Sequence, residues 1–394
     1  MKPIYLDHAA ATPLDPQVFA AMQPYMAEQF YNPSSLYRAS KEVRLAIGAA
    51  RSGVADILGA KKSEIIFTAG GTESVNLAVF GVLGTFPGAN FVTTNIEHDA
   101  VLACIGPLGA AAHPVKVVAV KPDGIVDVAQ IARSIDDQTA LVSVMYANNE
   151  IGTIQPIAEI ARTISKVRSD RIKRGIDLPI YFHTDACQAG GLLNLHVSRL
   201  GVDLLTLNGS KIYGPKQTGC LYVRTGTQLQ PLIYGGGQER MLRSGTENVP
   251  GIIGFAKALE LAQADRQVET KRLTALSDQL LSDLRTAISD IRLNGHSERR
   301  LANNINITIP GIDGEMAVLY LDREGIMAST GSACSTGNTD PSHVLLAIGL
   351  DQAQARASLR FTLGKETTKA QLDHLVEVLP QLTGRLRELA RNNY

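Results

Sequence analysis

The sequence contains no tryptophan, only four cysteines and no excess of charge of either sign. Lys plus Arg and Asp plus Glu number 38 each, so no cationic surplus is available to neutralise nucleic-acid phosphates. No apolar run approaches the length that spans a membrane, and the first residues lack a signal-peptide stretch. These absences predict a cytoplasmic protein that has neither nucleic acid nor a membrane as its main partner.

The four cysteines are Cys104, Cys187, Cys220 and Cys334. They form no CxxC pair and no Cys/His cluster with zinc spacing, so no metal site is predicted. Apolar neighbours indicate that the first three pack as small hydrophobic side chains. Cys334 lies in a run of small polar residues at 329–340, which predicts an exposed and mobile thiol that is available for chemistry.

The length of 394 residues favours two domains. Strand-like runs rich in Val, Ile and Leu alternate with helical patterns from about residue 60 to 225. This alternation predicts an α/β fold with a mainly parallel sheet, whose catalytic residues gather at the C-terminal ends of the strands. A long helical stretch, short strands and a final amphipathic helix follow. We therefore expect a large domain at 15–255 and a smaller α+β domain built from 1–14 and 256–394.

A lysine follows one of the predicted buried strands. The apolar run at 202–207 breaks at Asn208 and Gly209, and Lys211 comes next. A lysine on a tight loop at a strand end is poorly solvated, which lowers its pKa and suits it to attack a carbonyl. The alternative interpretation is a surface lysine in a hairpin.

Other strand ends carry polar groups with the same ambiguity. Gly71 and Thr72 open a helix after a strand, which forms either an anion site or an ordinary capped turn. His98 is a candidate ring partner or a plain loop histidine. Asn148 either caps a turn or binds a ligand oxygen. Asp185 either caps a helix or forms an ion pair with a ligand cation.

One ligand accounts for an anion site, a ring-sized slot, an acid and a lysine at the same sheet edge. Pyridoxal phosphate (PLP) needs a lysine for its aldehyde, an acid for its pyridine nitrogen and a helix N-terminus for its phosphate. The combination therefore predicts a PLP site, although each element alone has a structural explanation.

Motifs spread over nearly the whole chain carry a family resemblance. They are YLDHAAATP (5–13), NPSS (32–35), FTAGGTES (67–74), EH (97–98), ANNEIG (147–152), HTDACQ (183–188), KIYGPK (211–216), GGGQER (235–240), RSGTEN (243–248), GSAC (331–334) and RFTLG (360–364). In these the chain resembles the PLP-dependent cysteine desulfurases of iron–sulfur cluster and nitrogenase assembly, which are class V aminotransferase-like proteins. The resemblance implies the aspartate-aminotransferase-like fold, PLP fold type I.

The resemblance implies a role for each residue that surrounds the PLP ring. Lys211 forms the Schiff base with the cofactor, and His98 stacks on the ring and moves protons. Asp185 pairs with the pyridinium nitrogen. Gln188 and Asn148 steady the phenolic oxygen.

The resemblance also implies how the phosphate is bound. Gly71 and Thr72 contact it, and Thr246 reaches the phosphate of the partner subunit, so that a homodimer completes each site. Family members commonly carry His and Ser at two further phosphate-binding positions. Here Ser210 replaces the His and Asn208 replaces the Ser, and Ser210 keeps one hydroxyl for the phosphate.

The substrate roles complete the set. Asn32 and Arg360 are expected to bind the α-carboxylate of L-cysteine, which suits a bidentate guanidinium. Cys334 is expected to accept the sulfur as a persulfide while L-alanine forms, and then to pass it to a sulfur-acceptor or iron–sulfur scaffold protein. The alternatives on the same scaffold are a selenocysteine lyase, a cystine C–S lyase or a small aminotransferase. A catalytically silent PLP-binding partner of assembly factors is a further alternative.

Overall fold

The computed structural model describes residues 3–331 and 340–392. The strands in this part of the chain are β1 (Ile4–Tyr5), β2 (Ile65–Thr68), β3 (Asn90–Thr94), β4 (Val115–Val118), β5 (Thr139–Ser143), β6 (Tyr181–Asp185), β7 (Leu204–Asn208), β8 (Gly219–Val223), β9 (Arg292–Leu293), β10 (Asn304–Thr308), β11 (Ile326–Met327) and β12 (Ser358–Thr362). The helices are α1 (Pro16–Ala27), α2 (Arg38–Leu58), α3 (Gly71–Thr85), α4 (Asp99–Leu102), α5 (Ile105–Ala110), α6 (Val128–Ser134), α7 (Ile157–Lys173), α8 (Val197–Leu200), α9 (Val249–Ala287), α10 (Gly314–Arg323), α11 (His343–Ala347), α12 (Gln352–Arg356) and α13 (Lys369–Asn392). None of these helices combines the length and the apolarity that a membrane crossing requires.

A seven-stranded sheet organises the first two thirds of the chain, in the order β2-β8-β7-β6-β5-β3-β4. Strand β8 runs antiparallel to β2 and β7, and the pairings among β7, β6, β5, β3 and β4 are parallel. Buried apolar side chains cover both faces of this sheet in two separate clusters. The predicted mainly parallel α/β sheet is confirmed, and the ends of β6 and β7 lie side by side at one edge.

A smaller three-stranded sheet, β12-β10-β9, lies in the second part of the chain and has its own apolar core. Helix α9 connects the two cores. Its residues up to Ala262 pack into a core of the large sheet, and its residues from Leu273 onward pack into the core of the small sheet. The helix thus continues across the predicted boundary at residue 255, and the division into 15–255 and 1–14 with 256–394 stays a prediction.

Short polar side chains fix where several helices begin. Asp15 precedes Pro16 and accepts a hydrogen bond from the Gln17 N–H at 2.8 Å, which caps α1. Asn248 caps α9 in the same way by accepting from the Gly251 N–H at 3.1 Å. Side-chain oxygens at this position satisfy N–H groups that the first helical turn leaves without partners.

Candidate active site

A cavity opens at the C-terminal ends of the parallel strands. The sequence-predicted residues Gly71, Thr72, His98, Asp185, Gln188, Lys211 and Arg360 all contribute to its wall. Apolar side chains from Ala100, Met145 and Ala147 complete a slot beside them. Residues that are far apart in the sequence therefore meet in one concave site, as expected of ligand sites at the edge of an open α/β sheet.

Lys211 ends a short 3-10 turn, Gly209–Lys211, directly after β7. Its Nζ donates a hydrogen bond to the Ala9 carbonyl oxygen at 2.8 Å and another to that of Ala10. Gly209 is required here, because an added Cβ would lie 2.3 Å from Thr218 Oγ1. The strand and the tight turn thus present the amine to the cavity, against a backbone segment that comes from the N-terminal part of the chain.

The N-terminus of helix α3 forms one end of the cavity. Its first N–H groups have no acceptor within the helix, and the helix dipole favours a negative ligand there. A Cβ added at Gly71 would lie 2.8 Å from Cys187 Sγ and 3.5 Å from Asn208 Nδ2. The glycine therefore lets Cys187 pack closely against the start of α3, and the Asn208 amide stands beside the same helix end.

Asp185 is 7% exposed at the end of β6 and lines the cavity. Its Oδ1 accepts a hydrogen bond from the Cys187 N–H at 2.9 Å. The predicted capping role is present as this turn bond, while the carboxylate also lines the cavity, and its ion pair with a ligand cation stays a prediction. His98 likewise accepts from the Ala100 N–H at 3.0 Å through Nδ1, so in the neutral ring the proton resides on Nε2.

A buried polar chain stabilises the strand that carries Asp185. His183 is completely buried, and its ring nitrogens contact Ser143 Oγ at 2.8 Å and Thr206 Oγ1 at 3.0 Å. Burial lowers the pKa of His183 to about 4, so the ring is neutral near pH 7. These contacts link the central strands β5, β6 and β7 and fix the register of the strand end behind the cavity.

The Asn148 side chain is directed away from the cavity. Its Nδ2 donates to the Ile96 carbonyl oxygen at 2.9 Å, and its Oδ1 accepts from the N–H groups of Glu150 and Ile151 at 2.8 and 2.9 Å. The next residue, Asn149, lines the cavity instead. The turn-capping alternative thus describes Asn148, and Asn149 is the amide that stands at the site.

Arg360 is 2% exposed and reaches the cavity from β12. Its Nη2 pairs with Asp7 Oδ1 at 2.7 Å, and its Nη1 donates to the carbonyl oxygens of Asn149 at 3.0 Å and Gly331 at 3.2 Å. The smaller sheet thus contributes a fixed cation to a site that is otherwise built from the larger one. Asp7 was not predicted as a site residue from the sequence, although it belongs to the motif at 5–13.

Several predicted residues lie elsewhere. Asn32 is exposed, and its Oδ1 accepts from the Ser34 N–H at 2.9 Å. Thr246 is also exposed and does not reach the cavity of its own chain. The Ser210 hydroxyl donates to Asn208 Oδ1 at 3.1 Å rather than lining the wall. Cys334 lies outside the described residues.

Cys187 corrects one expectation from the sequence. It was expected to pack as a small hydrophobic side chain, but it lines the cavity next to Gly71. Its position two residues after Asp185 was the sequence signal that could have placed it at the site. Burial, followed by the nearby Asp185 charge, raises the pKa of its thiol well above the usual value. Cys187 is therefore a neutral thiol near pH 7 and a poor nucleophile.

Glu97 is a buried acid directly before His98. One carboxylate oxygen accepts from Thr94 Oγ1 at 2.6 Å and from the Met145 N–H at 3.0 Å, and the other has no partner among the described residues. Burial raises its pKa from 4.5 to about 8. Glu97 therefore stays protonated near neutral pH.

This pKa shift predicts a pH dependence of stability. Between pH 4.5 and 8 the folded state keeps a proton that the unfolded state has lost, so folding stability falls as pH rises through this range. Each pH unit costs at most about 1.4 kcal/mol. Urea unfolding of the apoprotein from pH 5 to 9 should show the wild type losing stability relative to Glu97→Gln up to about pH 8. A constant difference across the range would contradict the assignment.

Comparisons with known proteins give a consistent result. The model of the aminotransferase class-V family matches residues 4–375. A protein of Dictyoglomus turgidum named cysteine desulfurase IscS is 45% identical over 389 residues, which cover 98% of this chain and 96% of that relative. A protein of Methanosarcina thermophila that is also named cysteine desulfurase IscS is 44% identical over 99% of this chain and 94% of that relative. The solved structure of a NifS-like protein superposes with a TM-score of 0.89 at 34% identity, covering 98% of this chain and 100% of that one.

Proposed function

The chain belongs to the aminotransferase class-V family, and we propose that it is a PLP-dependent cysteine desulfurase, which converts L-cysteine to L-alanine and holds the sulfur as an enzyme-bound persulfide. The predicted resemblance and the PLP-type α/β fold are confirmed by the relatives at 42–45% identity and by the NifS-like structure. The observation that carries the proposal is the single cavity that unites Lys211, Asp185, His98 and Arg360 with the N-terminus of α3.

The residues present fit PLP. The first N–H groups of α3 and the Nδ2 of Asn208 offer donors to a phosphate at the start of a helix. Asp185 offers a carboxylate to a protonated ring nitrogen, and Lys211 offers an amine to an aldehyde. His98 and the neutral thiol of Cys187 contribute to the walls beside the ring slot.

Proton transfer, charge stabilisation and substrate orientation are assigned to different residues of the chain. When bound, PLP supplies an electron sink for negative charge on the substrate α-carbon. Lys211 would hold the cofactor through its amine, and its free amine would take the substrate α-proton as a general base. The Asp185 carboxylate would keep the ring nitrogen protonated. Arg360 orients the substrate through its carboxylate, and His98 exchanges protons with the substrate side chain through Nε2.

The sulfur step requires a thiolate, and we assign it to Cys334, which lies outside the described residues. The Cys334 thiolate attacks the substrate sulfur, so that an S–S bond forms while the Cβ–S bond breaks and its electron pair stays on carbon. Protonation of that carbon gives L-alanine. The enzyme-bound persulfide then passes to a sulfur-acceptor or iron–sulfur scaffold protein.

A homodimer is part of the proposal. Exposed apolar side chains lie in the segments of two predicted residues that do not reach the cavity of their own chain. Leu36, 98% exposed, follows Asn32 in its loop, and Tyr234, 76% exposed, adjoins Ile233, which bridges to Arg243 in the motif of Thr246. Burial of this surface against a second copy would bring Thr246 to the partner's phosphate end. Sedimentation velocity should give twice the chain mass of 42.2 kDa.

A cytoplasmic location is proposed as well, because Cys104, Cys187 and Cys220 are free thiols.

The test is a stoichiometric assay. Purified holoenzyme is incubated with L-cysteine, and L-alanine and protein-bound sulfane sulfur are quantified while mass spectrometry locates the added sulfur. We expect equal amounts of both products in the first turnover, with the sulfur on the Cys334 peptide. Cys334→Ala should lose alanine formation from cysteine, while Cys104→Ala should behave as the wild type. Pyruvate with free sulfide would indicate a C–S lyase, and no turnover would indicate a silent PLP-binding protein.

The departures at the phosphate end lead to a prediction about cofactor retention. The Asn208 Oδ1 accepts from both the N–H and the hydroxyl of Ser210 at 3.1 Å, which leaves Nδ2 as the donor beside α3. Asn208→Ala should weaken PLP binding by about 1–3 kcal/mol, since it loses a hydrogen bond to a charged group. Ser210→Ala should weaken it less, because Ser210 acts by orienting Asn208. Dialysis followed by absorbance measures both, and a larger loss in Ser210→Ala would assign the phosphate contact to the hydroxyl.

A further inference from the structure

The arginine expected to bind the substrate carboxylate already contacts a carboxylate of the chain itself. Asp7 Oδ1 lies 2.7 Å from Arg360 Nη2, and both side chains are largely buried. Two backbone carbonyl oxygens, from Asn149 and Gly331, accept from Nη1. Two of the three guanidinium nitrogens are thus occupied within the chain.

The third nitrogen is the exception. Arg360 Nε is buried and has no hydrogen-bond partner among the described residues. A buried donor without an acceptor costs free energy, and here it belongs to a side chain that lines the substrate cavity. A ligand carboxylate in this cavity would therefore meet a guanidinium that keeps one donor without an acceptor among the described residues and whose charge Asp7 already balances.

The backbone fixes this pair. Asp7 bridges to Thr362, two residues beyond Arg360 on β12, and the Thr362 N–H donates to the Leu6 carbonyl oxygen at 2.7 Å. On the other side of the strand, the Arg360 N–H donates to the Ser329 carbonyl oxygen at 2.6 Å. This pairing holds the backbone of Asp7 beside that of Arg360, so a bound substrate carboxylate shares the guanidinium with Asp7.

We propose that Asp7 is a positioning residue and permanent counter-ion of Arg360, which limits how tightly the site binds a carboxylate and so favours release of L-alanine. The inference rests on the proposed function. Asp7 holds the guanidinium through Nη2, and its negative charge opposes a second carboxylate at the same cation. An amide at this position keeps the hydrogen-bond acceptor and removes the charge.

The test measures the affinity of the holoenzyme for L-alanine and for ethylamine, which is alanine without its carboxylate, by titration of the cofactor absorbance. Asp7→Asn should bind L-alanine about tenfold more tightly, equivalent to about 1.4 kcal/mol, and leave ethylamine unchanged. Asp15→Asn is the matched control: Asp15 also precedes the first long helix, Asn caps as well as Asp, and neither ligand's affinity should change. Asp7→Ser is the second variant if Asp7→Asn does not fold.

A double-mutant cycle separates this role from a general structural one. In an Arg360→Gln background the Asp7→Asn substitution should no longer alter the preference for L-alanine over ethylamine. Equal changes for both ligands, a selective weakening for L-alanine, or a persistent effect without Arg360 would each overturn the proposal. Failure of the wild type to bind PLP or to convert cysteine would instead contradict the proposed function.

Discussion

Replacing Lys211 by alanine should reduce turnover of L-cysteine by about 10²–10⁴-fold or more, because the variant loses both the covalent attachment of PLP and its general base. The amine lies at the end of β7, against the carbonyl oxygens of Ala9 and Ala10, and no other lysine lines the cavity formed by the described residues. Initial rates of alanine formation with excess PLP measure the effect.

Lys216 is the matched control for this variant. It belongs to the same motif and donates from Nζ to the Thr12 carbonyl oxygen at 2.9 Å, but it does not line the cavity. Lys216→Ala should therefore retain the wild-type rate within a few fold. Similar losses in both variants would show that the loop matters for folding rather than for the chemistry of one amine.

Replacing Asp185 by asparagine should lower turnover by about 10²–10³-fold, the usual cost of removing one preorganised electrostatic group. The substitution leaves the local structure intact, because an asparagine Oδ1 can still accept the Cys187 N–H bond that Asp185 makes at 2.9 Å. The loss would then report the negative charge toward the ring nitrogen. The absorbance of bound PLP should persist in the variant, and a near-normal rate would leave Asp185 with its capping role alone.

The sequence predicted the sheet and most of the cavity because both follow from local patterns. Buried strands are apolar runs that end at polar residues, and parallel strands place those ends at one edge of the sheet. Asp185 and Lys211 could therefore be assigned to the same site from the sequence. A long helical stretch was also predicted from Phe255 to Ile288, and α9 begins earlier, at Val249. Its continuous packing into two cores was not, because periodicity identifies a buried face but not its partner.

The remaining site residues depend on contacts that sequence spacing does not encode. Which of the two adjacent asparagines lines the cavity depends on the turn after β5. The Asn148 side chain forms hydrogen bonds to backbone groups, whereas Asn149 lines the cavity. The pairing of Asp7 with Arg360 joins residues more than 350 positions apart through a backbone bridge. Likewise, Cys187 was expected to pack as a small hydrophobic side chain, but it follows the end of β6 and lines the cavity.

The central claim is that the cavity at the ends of β6 and β7 holds PLP through the amine of Lys211. Borohydride reduction of the purified holoenzyme, followed by digestion and peptide mapping, tests it directly because reduction fixes the cofactor to its lysine. The account predicts a single pyridoxyl label on Lys211. A label on Lys216 or on another lysine, or a holoenzyme that acquires no label, would contradict it.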